Sequence, residues 1–228
     1  MAPIPYNVRR SDRARRTRIH VSAEGVEVVV PRTVALREVE PFVEEKQPWI
    51  ERTLRRIREA EAERPPARLE DGGEVPYLGE RLALAVKVEP GRTRPHVARS
   101  GATLRVRVPD PGVVRDALER WYRREARREI EPRLDAAAAR AGTPYTKLSI
   151  RSQKTRWASC SSSGAMSFNW RLLLAPEEIL DYVVEHEVAH LTIHDHSGRF
   201  WALLGSRCPD YEEHERWLRR NGQTLRFP

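Results

Sequence analysis

One pentapeptide in the 228-residue chain carries a legible chemistry: His186-Glu187-Val188-Ala189-His190. Two imidazoles four positions apart on a helix sit about 40° apart around its axis and about 6 Å along it. Both can meet one metal ion while the carboxylate between them projects alongside. The residue types suit zinc, because neutral imidazole is a good ligand for that borderline ion and a nearby carboxylate can take a proton from the water it activates. Glu187 is the candidate general base, and His186 and His190 are candidate ligands for one Zn2+ per chain. His186, His190, His194 and His196 put four of the seven histidines within eleven positions, a clustering that argues against a chance motif. His196 is the preferred third ligand: six positions after His190, it leaves room for the chain to fold back, and Ser197-Gly198 suits the turn. His194 lies one turn further along the axis, and Glu212, Glu213 or Glu215 would be carboxylate alternatives. Three protein ligands leave a fourth position for water, which marks a catalytic rather than a structural site.

Such a site needs a helix to carry it and a strand beside it. Ala175-Pro176-Glu177-Glu178 opens a helix, with Pro and acids where an N-terminus favours them, and the pattern continues to about residue 193 with Leu180, Val183, Val184 and Leu191 apolar. Upstream, residues 165–172 read as a strand in which Met166, Phe168, Trp170 and Leu172 alternate with Ala165, Ser167, Asn169 and Arg171. One face is core and the other looks into a cleft, where Asn169 could hydrogen-bond a substrate backbone. Residues 147–151 and 155–160 are further strands, and Lys154 and Arg156 are candidates for holding a substrate carboxylate or phosphate. Trp157, Trp170 and Trp201 read as core or cleft wall, and Cys160 as a buried strand thiol rather than a nucleophile. Short helices are expected over 199–204 and 212–219.

Residues 113–141 are helical, with Val114, Leu118, Trp121, Tyr122, Ile130 and Leu134 on the buried face, a bend at Pro132 and a stop at Gly142-Thr143-Pro144. The turn residues 109–112 mark the best internal boundary. Before it come β-like segments at 74–78, 81–88, 95–99 and 103–108. Residues 34–63 have a helical period that Pro41 and Pro48 should break, and 17–21 and 26–30 form a hairpin around Glu24-Gly25. The expected organisation is α+β: a basic arm over 1–18, a β-rich region with a helix over 19–108, and a catalytic domain over 113–228.

The 41 Lys+Arg outnumber the 33 Asp+Glu, for a net charge of +8. Position matters more than the total, because residues 1–20 hold six Arg against Asp12 alone. This arm reads as solvated rather than as a grip on nucleic acid, which remains the less favoured partner. No run approaches the roughly 18–20 apolar residues of a membrane span, and no apolar stretch follows the basic N-terminus, so membrane insertion and classical secretion are not expected. Two cysteines fit a reducing interior, and a cytoplasmic location is expected.

Several spaced motifs, taken together, resemble a known family. R-S-Q-K-T-R-W-A-S-C over 151–160, S-F-N-W-R-L over 167–172, Ala175-Pro176, D-Y-V-V-E over 181–185, the H-E-x-x-H and His196-Ser197-x-x-Phe200-Trp201 closely resemble the YgjP-like metallopeptidases, relatives of the SprT and WLM zincins. Pro209-Asp210-Tyr211 and Arg216-Trp217-Leu218 continue the match. The resemblance implies a minimal zincin fold, an antiparallel sheet with the H-E-x-x-H helix, zinc at His186, His190 and His196, Glu187 as general base, and a peptide or protein substrate. Ala158 departs from the usual Gly of W-G-S-C, and Val188 from the usual Leu after H-E; neither is a ligand. A nucleotide pyrophosphatase activity has also been attributed to a member of this family. The competing readings are a metal-dependent nucleoside triphosphate pyrophosphatase, with Arg151, Lys154 and Arg156 holding phosphates, and a DNA-recruited protease gripping through residues 9–18.

Overall fold

The structure is a computed structural model that describes residues 4–22, 24–63, 67–153 and 156–227. Its chain divides into two compact units, Met1–Pro65 with Arg220–Thr224, and Pro66–Arg219 with Leu225–Pro228. The turn at 109–112 lies inside the second unit, so it connects two packed elements there instead of separating two domains.

In the first unit, β1 (Tyr6–Ser11), β2 (Arg18–Ser22) and β3 (Gly25–Pro31) form a sheet in the order β1-β3-β2. The expected hairpin is β2/β3, antiparallel from Arg18↔Val29 to Ser22↔Gly25. The expected arm is different in its middle: Tyr6–Ser11 runs parallel to β3, and Arg9 pairs with Glu27 at 3.0 Å. Part of the basic charge is thereby held on a strand rather than left on a free tail. α1 (Val39–Glu63) is one helix through both prolines. Pro41 falls in its first turn, where a missing N–H costs nothing. Pro48 is interior, and the stripe Val43, Ile50 and Ile57, buried with Val21, Val28 and Val30, outweighs the single backbone hydrogen bond it forgoes.

The second unit holds the motif. β4 (Glu74–Tyr77), β5 (Glu80–Val88), β6 (His96–Ser100) and β7 (Thr103–Val108) form a sheet in the order β4-β5-β7-β6, in which β5 and β7 are parallel. α2 (Val114–Ala141) follows, and every residue expected on its inner face is buried. It continues through Pro132 and stops where Gly142 adopts a left-handed conformation (φ 65°), its N–H bonding back to Ala138. Tyr122 donates to the Pro76 carbonyl and packs its ring against Trp121, Trp170 and Phe227.

β8 (Lys147–Arg151), β9 (Ala158–Cys160) and β10 (Ala165–Asn169) make a third sheet, β8-β10-β9, antiparallel between β9 and β10 and parallel between β8 and β10. The strand expected to reach residue 172 ends at Asn169, because the Asn169 carboxamide oxygen accepts from the Arg171 N–H and starts a 3-10 turn over Trp170–Leu174. Trp170, Leu172, Leu173 and Leu174 are all buried in that turn.

α3 (Glu177–Ala189) carries the motif and packs on α2 and β9. Its inward side chains, Leu180, Val183, Val184 and Val188, are buried, each contributing about 1.5–3 kcal/mol on leaving water. Polar contacts fix its rotation: Arg133 of α2 reaches Glu177 and, at 2.9 Å, Asp181, while Arg140 meets the buried Glu185 at 2.6 Å. α4 (Gly198–Arg207) and α5 (Tyr211–Asn221) complete the chain's helices among the described residues. None of those helices is long and apolar enough to cross a membrane.

Candidate metal centre

α3 ends four residues before the sequence pattern does. Past Ala189 the backbone tightens, Leu191 bonding to Val188 and Thr192 to Ala189, and the His190 Nδ1–H donates to the Ile193 carbonyl at 2.9 Å. This bond assigns the His190 tautomer and leaves Nε2 as the free lone pair. Asp195 then closes a turn by accepting from the Ser197 N–H at 3.1 Å, and His196 comes back over α3. His186, His190 and His196 each present a ring nitrogen, all within 4.8 Å of one another. His186 Nε2 and His196 Nε2 stand 3.1 Å apart. Two ligands on a tetrahedral zinc, with Zn–N of about 2.0–2.1 Å, lie roughly 3.3 Å apart, so the donor set and its spacing fit that ion. Exposed His194 is outside the cluster, as are Glu212, Glu213 and Glu215.

The surroundings favour the neutral form of His186 and His190 and hold all three rings in place. Burial, reinforced by His190 and His196, pulls the His186 pKa down to about 4, and burial lowers His190 as well. A neutral ring is the form a metal takes. Beneath all three lies Phe200 of α4, completely buried, with ring centroids 4.9, 4.6 and 4.8 Å from His186, His190 and His196. Trp201 backs His196 at 5.6 Å and stacks on Tyr211 at 5.4 Å. Phe200→Ala should therefore destabilise the protein by about 3–5 kcal/mol and loosen all three rings together. Thermal melting with and without added zinc checks this: the variant's melting temperature should fall in both conditions.

Glu187 points from the same turn toward β9 and is only 6% exposed. Burial pushes its pKa up to about 7, moderated by the Cys160 backbone N–H and the positive charge of Arg156. A carboxyl poised near neutrality suits general base work. Cys160 has the opposite character: burial and the nearby Glu187 drive its thiol up to about 11, which removes it as a nucleophile.

The structure brings the other anticipated residues together unequally. Trp170 is core, and Trp157 and Trp201 pack partly buried against it. Asn169 is buried, and its amide is spent inside the protein, Nδ2 donating to Gln153 O at 2.7 Å and Arg156 O at 3.3 Å. It holds the backbone at Gln153 and Arg156 and, buried, is not free to meet a substrate backbone as expected. Arg156 is exposed near Glu187, and Lys154 lies outside the described residues. Sequence reasoning passed over Asp195 and the Ile193 carbonyl. Asp-x-Ser after a histidine is a readable turn signal; a carbonyl has none.

The family described as "YgjP-like, metallopeptidase domain" matches residues 15–221. Among solved structures, the chain is similar to the metallopeptidase zymogen abylysin of Pyrococcus abyssi, at 26% identity over 40% of this chain and 93% of that one, with a TM-score of 0.36. No curated protein matches it.

Proposed function

The chain belongs to the YgjP-like metallopeptidase family, and on that premise we propose that it is a zinc-dependent peptidase that hydrolyses peptide bonds at the His186, His190 and His196 centre, with Glu187 as general base. The carrying observation is the convergence of three imidazoles beside one buried carboxylate. When bound, zinc supplies Lewis acidity toward a carbonyl and lowers the pKa of a water beside it. Glu187 takes the proton of the attacking water and returns it to the departing amine, acting as base and then as acid. The Cys160 N–H keeps that carboxylate oriented and favours its ionised form. Phe200 and the Ile193 carbonyl keep the rings from turning away.

The same donor set weighs against phosphoryl chemistry, because magnesium wants oxygen ligands and an all-imidazole site does not favour it. The test is elemental analysis of purified protein, followed by peptide-library cleavage and pyrophosphate release measured on one preparation. Zinc at about one per chain is expected, with cleavage lost on chelation and restored by zinc. Pyrophosphate release without peptide cleavage would overturn the reading in favour of the nucleotide hydrolase. Activity that needed DNA and vanished without residues 9–18 would favour the recruited protease.

A further inference from the structure

We propose that a cavity of about 320 Å³ between α4 and α5 is a subsite for a large apolar or aromatic side chain of the substrate, with Trp201 and Tyr211 as its recognising surface. This rests on the peptidase reading above and adds the class of substrate. The cavity is lined by Trp201, Tyr211, Glu212, Glu215, Arg216 and Arg219, all within the unit that holds the metal centre. Helical spacing assembles it. Tyr211 opens α5, Glu215 and Arg219 follow at four-residue intervals on the same face, and Glu212 and Arg216 flank them at the same interval. Trp201 and Gly205 are likewise one turn apart on α4. Gly205 leaves a notch there, because a Cβ in its place would stand 3.3 Å from Tyr211 Cε1. The Tyr211 ring can therefore lie close to α4, stacked on Trp201 at 5.4 Å with 21° between the planes.

Both rings are only partly buried against the core, so they keep apolar surface for a ligand. The polar groups at the rim are tied down by α5 itself. Arg219 pairs with Glu215 at 2.6 Å, Arg216 Nε donates to the Glu212 carbonyl at 3.1 Å, and the Tyr211 hydroxyl donates to the Glu212 carboxylate at 3.3 Å. Two acids and two arginines cancel, so the cavity selects no charge. What remains is the indole, the phenol ring and the aliphatic stems of the two arginines, surfaces that recognise an apolar partner. The volume lies near the lower end of ligand pockets, which run from about 300 to 1,000 Å³, and suits one side chain rather than a whole molecule.

Its location ties it to the centre. The Trp201 ring centroid is 5.6 Å from that of His196 and 6.2 Å from that of His186, so the cavity wall is one ring contact from two of the proposed ligands. An extended peptide advances about 3.3 Å per residue, and a side chain held against Trp201 therefore belongs to a residue roughly one to three positions from the bond being cut. A triphosphate would meet two carboxylates there, which repel it. Trp201 has two tasks on this reading: one part of it backs His196, and another walls the subsite.

The test uses zinc-loaded full-length protein and a peptide series in which Phe, Leu, Ala, Glu or Lys is walked along both flanks of a cleaved bond. At one position wild type should favour Phe or Leu over Ala by about tenfold or more in kcat/KM, with Glu and Lys no better than Ala. In Tyr211→Ala that ratio should fall toward one, chiefly through KM, while zinc content stays unchanged. Tyr211→Phe should keep it, because the ring recognises the side chain and the hydroxyl meets only Glu212. Arg216→Ala, at an exposed position that leaves the core intact, should lower the ratio in part by removing a wall of the cavity. Calorimetric binding of the Phe and Ala peptides to zinc-loaded Glu187→Gln, with and without Tyr211→Ala, should show the same difference without turnover. Cleavage with no apolar preference, a preference for Glu or Lys in its place, or an apolar preference unmoved by Tyr211→Ala would overturn the subsite alone. Failure of zinc-loaded wild type to cleave any peptide would overturn the peptidase reading and this subsite with it.

Discussion

His186→Ala is expected to yield protein with almost no zinc and no turnover, and His196→Ala the same, while His194→Ala keeps both. The geometry sets this order. The Nε2 atoms of His186 and His196 stand 3.1 Å apart, and His190 supplies the third nitrogen of the cluster. Deleting either leaves two ligands on a site that needs three to hold zinc in an open tetrahedron. His194 is exposed and outside the cluster, so it serves as the control for general damage to the 191–197 turn. Metal content by elemental analysis and peptide turnover on the same samples check the prediction. A zinc-replete, active His196→Ala protein would return the third position to one of the carboxylates.

Glu187→Gln should do the reverse: zinc near the wild-type level and kcat lower by about 10²–10⁴-fold, the range a positioned proton acceptor contributes. The amide is isosteric and keeps an oxygen facing the Cys160 N–H, but it cannot accept the proton. Stability should hold or rise, because an ionisable carboxyl that is only 6% exposed resists burial and a neutral amide resists it less. Turnover, zinc content and melting temperature measured together separate lost chemistry from lost structure. Undiminished turnover in zinc-replete protein would remove Glu187 from its role.

The cluster of His186, His190 and His196 was readable because its members obey local rules. His186 and His190 follow helical spacing, and His196 lies within reach of a single turn. The long α2 was legible for a related reason, since its buried face repeats with the helical period and Gly142 stops it. Features that depend on distant partners were not legible. Y-N-V-R-R-S has no apolar alternation, and β1 exists through backbone pairing with β3, so its arginines read as a solvated tail. Pro41 and Pro48 argue locally against a continuous helix, and only packing of Val43, Ile50 and Ile57 decides otherwise. Asn169 sits at the polar phase of an alternating strand, which suggests a cleft. Its carboxamide instead turns back to the chain, a choice made by where the Gln153 and Arg156 carbonyls lie. The parallel pairing of β8 with β10 is likewise a matter of topology that strand periodicity does not encode.

The three proposed ligands and Glu187 fall within eleven consecutive residues, with Phe200 four positions further on. Closing so short a loop costs little chain entropy, so the cage can assemble on α3 and its following turn without waiting for the long-range strand pairings. Cys160 and Asn169 lie on β9 and β10, which depend on those pairings, and Arg156 comes just before β9. On the proposed reading, metal uptake and catalytic competence are therefore separable properties of this fold. A preparation fully loaded with zinc can still be inert if the β8–β10 sheet is misregistered, and zinc occupancy alone is a poor measure of how much of the enzyme is ready to work.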